Sequence, residues 1–253
     1  MPVKLTIFLL VFGCLLPEVP QCFAQENQNS LEQQARQLKQ EGKYQEAIPI
    51  TEKLVEIRKK ELGVEHRETA ESLDDLATLY WEIGDYAKAE PLFKEALEIR
   101  RQVLGPQHPD TATSIDSLAT LYWKHGDYAK AEPLFKEALE IRQKVLGPEH
   151  LDTTTSLNNL ALLYQDMGDY PEAEPLFKEA LEIRRKVLGP EHPYTALSLN
   201  NLALLYNAMG DYSKAEPLFK EALEIRRQVL GPQHPDTATS LDNLAALYLW
   251  RGD

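Results

Sequence analysis

Five histidines, His66, His108, His150, His192 and His234, stand 42 residues apart, and a histidine row is the first place to look for metal chemistry. A shared metal fails on distance. Zinc ligands lie ~2 Å from one ion, whereas residues one per repeat sit on helices spaced ~8–10 Å apart. Each is followed by residues that open a helix, as in His108-Pro109-Asp110, so the row reads as helix starts. The two cysteines, Cys14 and Cys22, fall in the first 24 residues, and removal of that segment leaves no thiol. No phosphate-cradling glycine loop and no His-Glu-x-x-His occurs, and the carboxylates fall on the polar faces of helical patterns. No catalytic set, metal site or cofactor is expected.

The residues suited to binding are of another kind. Asn159, Asn201 and Asn243 share one register, flanked by Asn158 and Asn200. A carboxamide both donates and accepts, so such a row can hold a peptide backbone whatever its side chains. Leu162 and Leu204 lie on the same face, Asp75 and Thr120 take equivalent places in earlier repeats, and Trp81 and Trp123 stand at its edge as candidate anchors. The net charge of -13 excludes a phosphate-neutralising surface and favours a neutral to basic partner.

These residues are positioned by a strict repeat. Tyr44, Tyr86, Tyr128, Tyr170 and Tyr212 keep the same 42-residue step, as do Phe93, Phe135, Phe177 and Phe219. Such a period means a stack of two-helix units sharing one continuous core. In the second unit the spacing predicts helices over about 68–83 and 86–104, the latter burying Ala89, Leu92, Phe93, Ala96, Leu97 and Val103. Gly84-Asp85 supplies a left-handed helix end and a cap for the next helix. Pro91, Pro133, Pro175 and Pro217 fall in the second turn of these helices and suggest a regular bend. Glu140–Lys144 and Glu182–Lys186 have the order of surface ion pairs. The first unit is expected at 31–40 and 44–62, after a polar leader at 25–30. An eleventh helix at about 235–250 has no partner after it, leaving Leu241, Leu244, Ala245 and Tyr248 as a packing stripe open to self-association. Arg251-Gly252-Asp253 repeats the Gly-Asp of the other turns and is not read as an integrin ligand.

Lys4, the apolar run 5–16 and Cys22-Phe23-Ala24 have the layout of a secretory signal cleaved after Ala24, too short to span a bilayer. The chain thus divides into a leader, 1–24, and an array of five helix pairs plus one unpaired helix, 25–253. Export to a periplasmic or extracellular location follows.

Leu157, Leu160, Ala161, Tyr164, Tyr170, Ala173, Phe177 and Ala180 fall in the order of a tetratricopeptide repeat. The period is longer than the ~34 residues usual there, and Arg185 stands where a closing proline is common. With LNNLALLY and AEPLFKEALEIRRKVLGPEHP, the long form resembles the repeats of kinesin light chains and of similar bacterial exported proteins. The resemblance implies an all-α, right-handed superhelical solenoid of antiparallel helix pairs. It also implies a non-catalytic scaffold whose first helices line a concave groove for extended peptides, with asparagines gripping the ligand backbone. Acids on this face, Glu71, Asp75 and Glu82, argue against the acid-flanked cargo of kinesin light chains. Similar exported arrays precede caspase-like protease domains, so a recognition arm of a longer enzyme is the alternative, with a self-associating structural protein beside it.

Overall fold

The computed structural model describes residues 18–251, with side chains from residue 28. Eleven helices account for them: α1 (Glu18–Gln40), α2 (Tyr44–Glu61), α3 (Arg67–Glu82), α4 (Tyr86–Val103), α5 (Pro109–Lys124), α6 (Tyr128–Val145), α7 (Leu151–Met167), α8 (Tyr170–Leu188), α9 (Pro193–Ala208), α10 (Tyr212–Val229) and α11 (Pro235–Arg251). Among the described residues there is no strand, and no helix is long and apolar enough to cross a membrane. Each helix packs on its predecessor and its successor, which is the all-α solenoid the period demands.

Two turns alternate along the stack, and each solves the problem of unpaired groups at a helix end. After a first helix, Gly84 adopts φ 79°. Its N–H then reaches Trp81 O at 2.9 Å while the Asp85 N–H reaches Tyr80 O at 2.8 Å, the two bonds of a Schellman end. Asp85 and Asp211 cap the following helix with their side chains; Asp127 and Asp169 do not. After a second helix the histidine acts. His66, His108, His150, His192 and His234 each accept from the backbone N–H two residues on, at 3.0–3.2 Å through Nδ1. A buried threonine secures the same turn: Thr69, Thr111, Thr153, Thr195 and Thr237 donate to the carbonyls of Gly63, Gly105, Gly147, Gly189 and Gly231 at 2.8–2.9 Å.

The core runs the length of the stack through Ala89, Phe93, Ala119, Phe135, Ala161, Phe177, Ala203 and Phe219. Small residues let helices approach, and the phenylalanines fill the space between them. Val103 departs from expectation: it is 45% exposed, because Ile99 and Arg100 turn inward at that end of α4. The proline register also includes Pro49 in α2, and every second helix continues through its proline.

Residues 25–30, expected as a polar leader ahead of the first helix, belong to α1. Gln28 is buried there and donates to Glu61 Oε2 at 2.6 Å, fastening α1 to the end of α2. The apolar run 5–16 and Gly252-Asp253 lie outside the described residues. The four-residue pairs that form on the second helices are Glu90–Lys94, Glu132–Lys136, Glu174–Lys178 and Glu216–Lys220, each at 2.6 Å. Lys186 reaches Glu149 rather than Glu182. The reason for the chosen pairs is a second partner: Tyr122, Tyr164, Tyr206 and Tyr248 of the next first helix donate to the same four glutamates at 2.8–3.1 Å.

Candidate peptide-binding groove

Behind the first helices lies a column of buried arginines, Arg58, Arg100, Arg142, Arg184 and Arg226, one per second helix. Burying a guanidinium is costly unless it is paired and hydrogen-bonded. Arg100 binds Asp74 and Ser114, and Arg142 binds Asp116, Ser156 and Thr113. In the next units asparagine replaces the aspartate. Arg184 then turns to Ser198 Oγ (2.7 Å) and Tyr194 O (3.5 Å), and Arg226 to Ser240 Oγ (2.7 Å) and Asp236 O (3.0 Å). Sequence reading passed over this column, although the Ile-Arg of every second helix carries its period.

Desolvation dominates the two aspartates. Burial pushes the Asp74 carboxyl up to about 6 despite its arginine and serine partners, and pushes Asp116 in the same direction. Burial depresses Arg184 and, despite the opposing charge of Asp236, Arg226. The Tyr80 phenol is pushed up to about 12, first by its hydrogen bond to Glu52 and then by burial.

The expected asparagine clamp is largely consumed by the protein itself. Asn201 Nδ2 donates to Asn158 Oδ1 at 2.8 Å, and Asn243 Nδ2 donates to Asn200 Oδ1 at 2.8 Å. Asn158, Asn200 and Asn201 are buried. These side chains tie one first helix to the next, because neighbouring registers of adjacent units come within hydrogen-bond reach. Asn159, half-buried, stands in the donor's place opposite Asp116 and makes no such bond. Leu162 and Leu204 are also half-buried and pack on the core rather than standing free.

The tryptophans part company. Trp123 donates to Asp166 Oδ2 at 2.9 Å, meets Phe135 edge-on at 6.1 Å and carries Lys124 over its ring at 4.0 Å, so it works as a clasp between units. Trp81 has no partner for its buried Nε1 and lines a cleft of about 310 Å³. That cleft crosses α3, α5 and α7, walled by Thr78, Thr113, Asp116, Ser117, Thr120 and Thr155, with Phe93, Leu121 and Arg142 behind them. Thr120 is therefore in the cleft. Asp75 is outside it, exposed and 3.8 Å from Lys39. Among the described residues no group of three metal-ligating side chains assembles.

A stack of helix pairs touching only along its length, with a cleft on the first-helix side, defines the class as a helical-repeat solenoid. The tetratricopeptide repeat model matches residues 27–102, 84–144, 118–186, 152–228 and 200–253, and the chain belongs to that family. Its fold typically serves as a protein-interaction scaffold. A Podosopora anserina protein described as a kinesin light chain with nearly identical TPR-like repeats is 31% identical, with TM-score 0.68 over 79% of this chain and 95% of that one. BtubC (BKLC) of P. vanneervenii is 27% identical, with TM-score 0.67 over 91% of this chain and 85% of its own. RapI, at 17% identity and TM-score 0.68 over 88% of this chain and 84% of that one, shares the fold alone. No curated protein matches the sequence.

Proposed function

We propose that this chain is a non-catalytic scaffold that holds an extended polypeptide segment against its first helices. The observation that carries the reading is the cleft across α3, α5 and α7, lined by the hydroxyl side chains Thr78, Ser117, Thr120 and Thr155. A peptide backbone brings both donors and acceptors to such hydroxyls. The grip is assigned to this cleft beside Trp81, because the asparagine row is engaged in bonds between neighbouring helices. Glu71, Glu82 and Asp166, with the net charge of -13, favour a neutral to basic segment. The leader at 1–24 supports export, testable by N-terminal sequencing of the secreted protein.

The test is selection from a displayed peptide library, followed by affinities for two variants. Thr120→Arg fills the cleft and is expected to weaken selected peptides tenfold or more. Glu98→Arg, on the exposed face of α4, is expected to leave them unchanged. Equal affinities for both variants contradict the reading.

A specific observation favours self-association as a second reading. Leu241 is 39% exposed on α11, whereas Leu199, its counterpart on α9, is fully buried by α10. Leu249 and Trp250 add exposed apolar surface beside it. Light scattering decides: Leu241→Glu with Leu249→Glu should abolish any concentration-dependent mass, and a parent monomer at all concentrations ends this reading. The third reading, a recognition arm of a longer enzyme, is tested by reading the gene beyond codon 253.

A further inference from the structure

We propose that the first-helix face is divided along its length, and that its far part, Leu162, Leu197, Leu204 and Trp250, is a subsite for a large aliphatic side chain of the held segment. The inference rests on the peptide-scaffold reading and states what one end of the face selects.

The 42-residue repeat carries the cleft geometry forward. Thr78 with Thr113, and Thr120 with Thr155, line the cleft from neighbouring first helices. One step further the same two registers hold Leu162 on α7 and Leu197 on α9, and Leu204 follows on α9. All three leucines are half-buried, with one edge against their neighbours and the other on this face. The hydroxyl wall thus turns aliphatic part-way along α7.

Trp250 extends the aliphatic part. It is 73% exposed. Leu241, on the same helix, differs from its equivalents Leu73, Ile115, Leu157 and Leu199, which are fully buried. Trp250 does not differ from its own: Glu82, Lys124, Asp166 and Ala208 are all exposed. The ring therefore stands open by register. The bond from Trp123 on α5 to Asp166 on α7 shows how this register meets the preceding first helix. The same offset brings Trp250 against the end of α9, at Asn207 and Ala208.

Charge separates the two ends. On α3 the registers of this face hold Glu71, Asp75 and Glu82. Arg67 reaches Glu71 at 3.2 Å and Lys39 reaches Asp75 at 3.8 Å, but exposed pairs of this kind are worth little and yield to a ligand cation. On α9 and α11 the same registers hold no charged residue. A segment with a cation at one end and an aliphatic side chain at the other matches both. A polar residue in the second place leaves the leucines and the tryptophan in water. Three steps from α3 to α9 at ~8–10 Å each span ~24–30 Å. An extended chain rises ~3.3 Å per residue, so the two ligand groups should lie about seven to nine residues apart.

A second copy of the chain is the other possible cover. A large aromatic side chain offers ~150–250 Å², and half-buried leucines add less. A stable interface takes ~800 Å² per partner. The patch has the size of a seat for one side chain.

The experiment titrates the intact ¹⁵N-labelled chain with two hosts of opposite direction. They are acetyl-Gly-Lys-Ser-Ala-Ser-Ala-Ser-Ala-Ser-Leu-Gly-amide and acetyl-Gly-Leu-Ser-Ala-Ser-Ala-Ser-Ala-Ser-Lys-Gly-amide, each made again with Ser in place of Leu. With three tryptophans in the chain, Trp250→Ala assigns the Trp250 indole resonance. The better-bound direction should shift that resonance saturably. Replacing its Leu by Ser should weaken binding to the parent at least fivefold. The same replacement should matter less than twofold for Trp250→Ala and for Leu197→Thr. Threonine already fills the Leu197 register at Thr113 and Thr155, so both variants should melt within a few degrees of the parent. Shifts on α3, α5 and α7 that are equal for the Leu and Ser hosts overturn the subsite and leave the scaffold standing. An equal fivefold loss in the variants places the leucine elsewhere and overturns it as well. No shift from any host on any first helix overturns both readings. Light scattering covers the second copy: mass that grows with concentration in the parent and not in Trp250→Ala assigns the ring to self-contact, which also overturns the subsite.

Discussion

Asp74 is expected to make stability depend on pH in an unusual direction. Its carboxyl is held up near 6 in the folded chain, above the ordinary value of 3.8. A raised acid favours the fold while protonated, so its contribution is complete below about 4 and is lost as pH rises through 6. Asn158 and Asn200 occupy this register in later units, so Asp74→Asn should fold and imitate the protonated form. Melting curves should show the variant gaining on the parent between pH 4 and 7, by at most about 3 kcal/mol. A constant gap across that range would refute the assignment. The asparagine ladder gives a second prediction. Asn158→Ala and Asn201→Ala should each cost ~1–2 kcal/mol, with a coupling of about 1 kcal/mol in a double-mutant cycle. Additive costs would mean the bond at 2.8 Å contributes little. At this scale sequence was informative where a residue acts on its own chain neighbours: the histidines were legible as helix starts because their bonds reach two residues away. Asn201 and Asn158 were not, since the bond depends on the offset between stacked helices, which a helical wheel of one helix omits.

Among the elements, the two turns set the register of everything else. Gly168 holds φ 78°, a conformation a Cβ disfavours although the space around it is open. Thr153 is buried, and its hydroxyl holds the Gly147 carbonyl at 2.8 Å. Thr153→Val keeps the shape and removes the bond, so denaturant unfolding should show a loss of about 1–2 kcal/mol. An unchanged midpoint would make the threonine a mere space-filler. Helix order and boundaries were readable to within a residue or two from the apolar spacing, Gly-Asp and Gly-Pro. The exceptions share a cause. Val103 sits on the apolar stripe but at the end of α4, where Arg100 takes the inner position with Asp74 and Ser114 as partners. Residues 25–30 carry too few apolar side chains to announce a helix, and it is the Gln28–Glu61 bond that docks them.

The whole molecule is a one-dimensional stack, so its stability should grow with each unit that covers its neighbour. A copy of Tyr212–Val229 joined behind the chain should cover Leu241, Ala238 and Ala245, which are exposed on α11. Calorimetry is expected to show a higher melting temperature and, if the open face mediates association, a loss of concentration dependence. An unchanged melting temperature would mean that α11 does not present a standard packing face. The period of 42 made the architecture plain before any coordinates, because repetition fixes which faces must meet. The cleft was less legible. Trp81 and Thr120 were singled out, yet the difference between Trp81 and Trp123 arises from Asp166, one repeat further on.

The central claim is that the first helices form the recognition surface, and amide hydrogen exchange with a library-selected peptide tests it most directly. Added protection should concentrate in α3, α5, α7 and α9, with the outer faces of α4, α6 and α8 unchanged. Protection confined to those second helices, or to α11, would contradict the account.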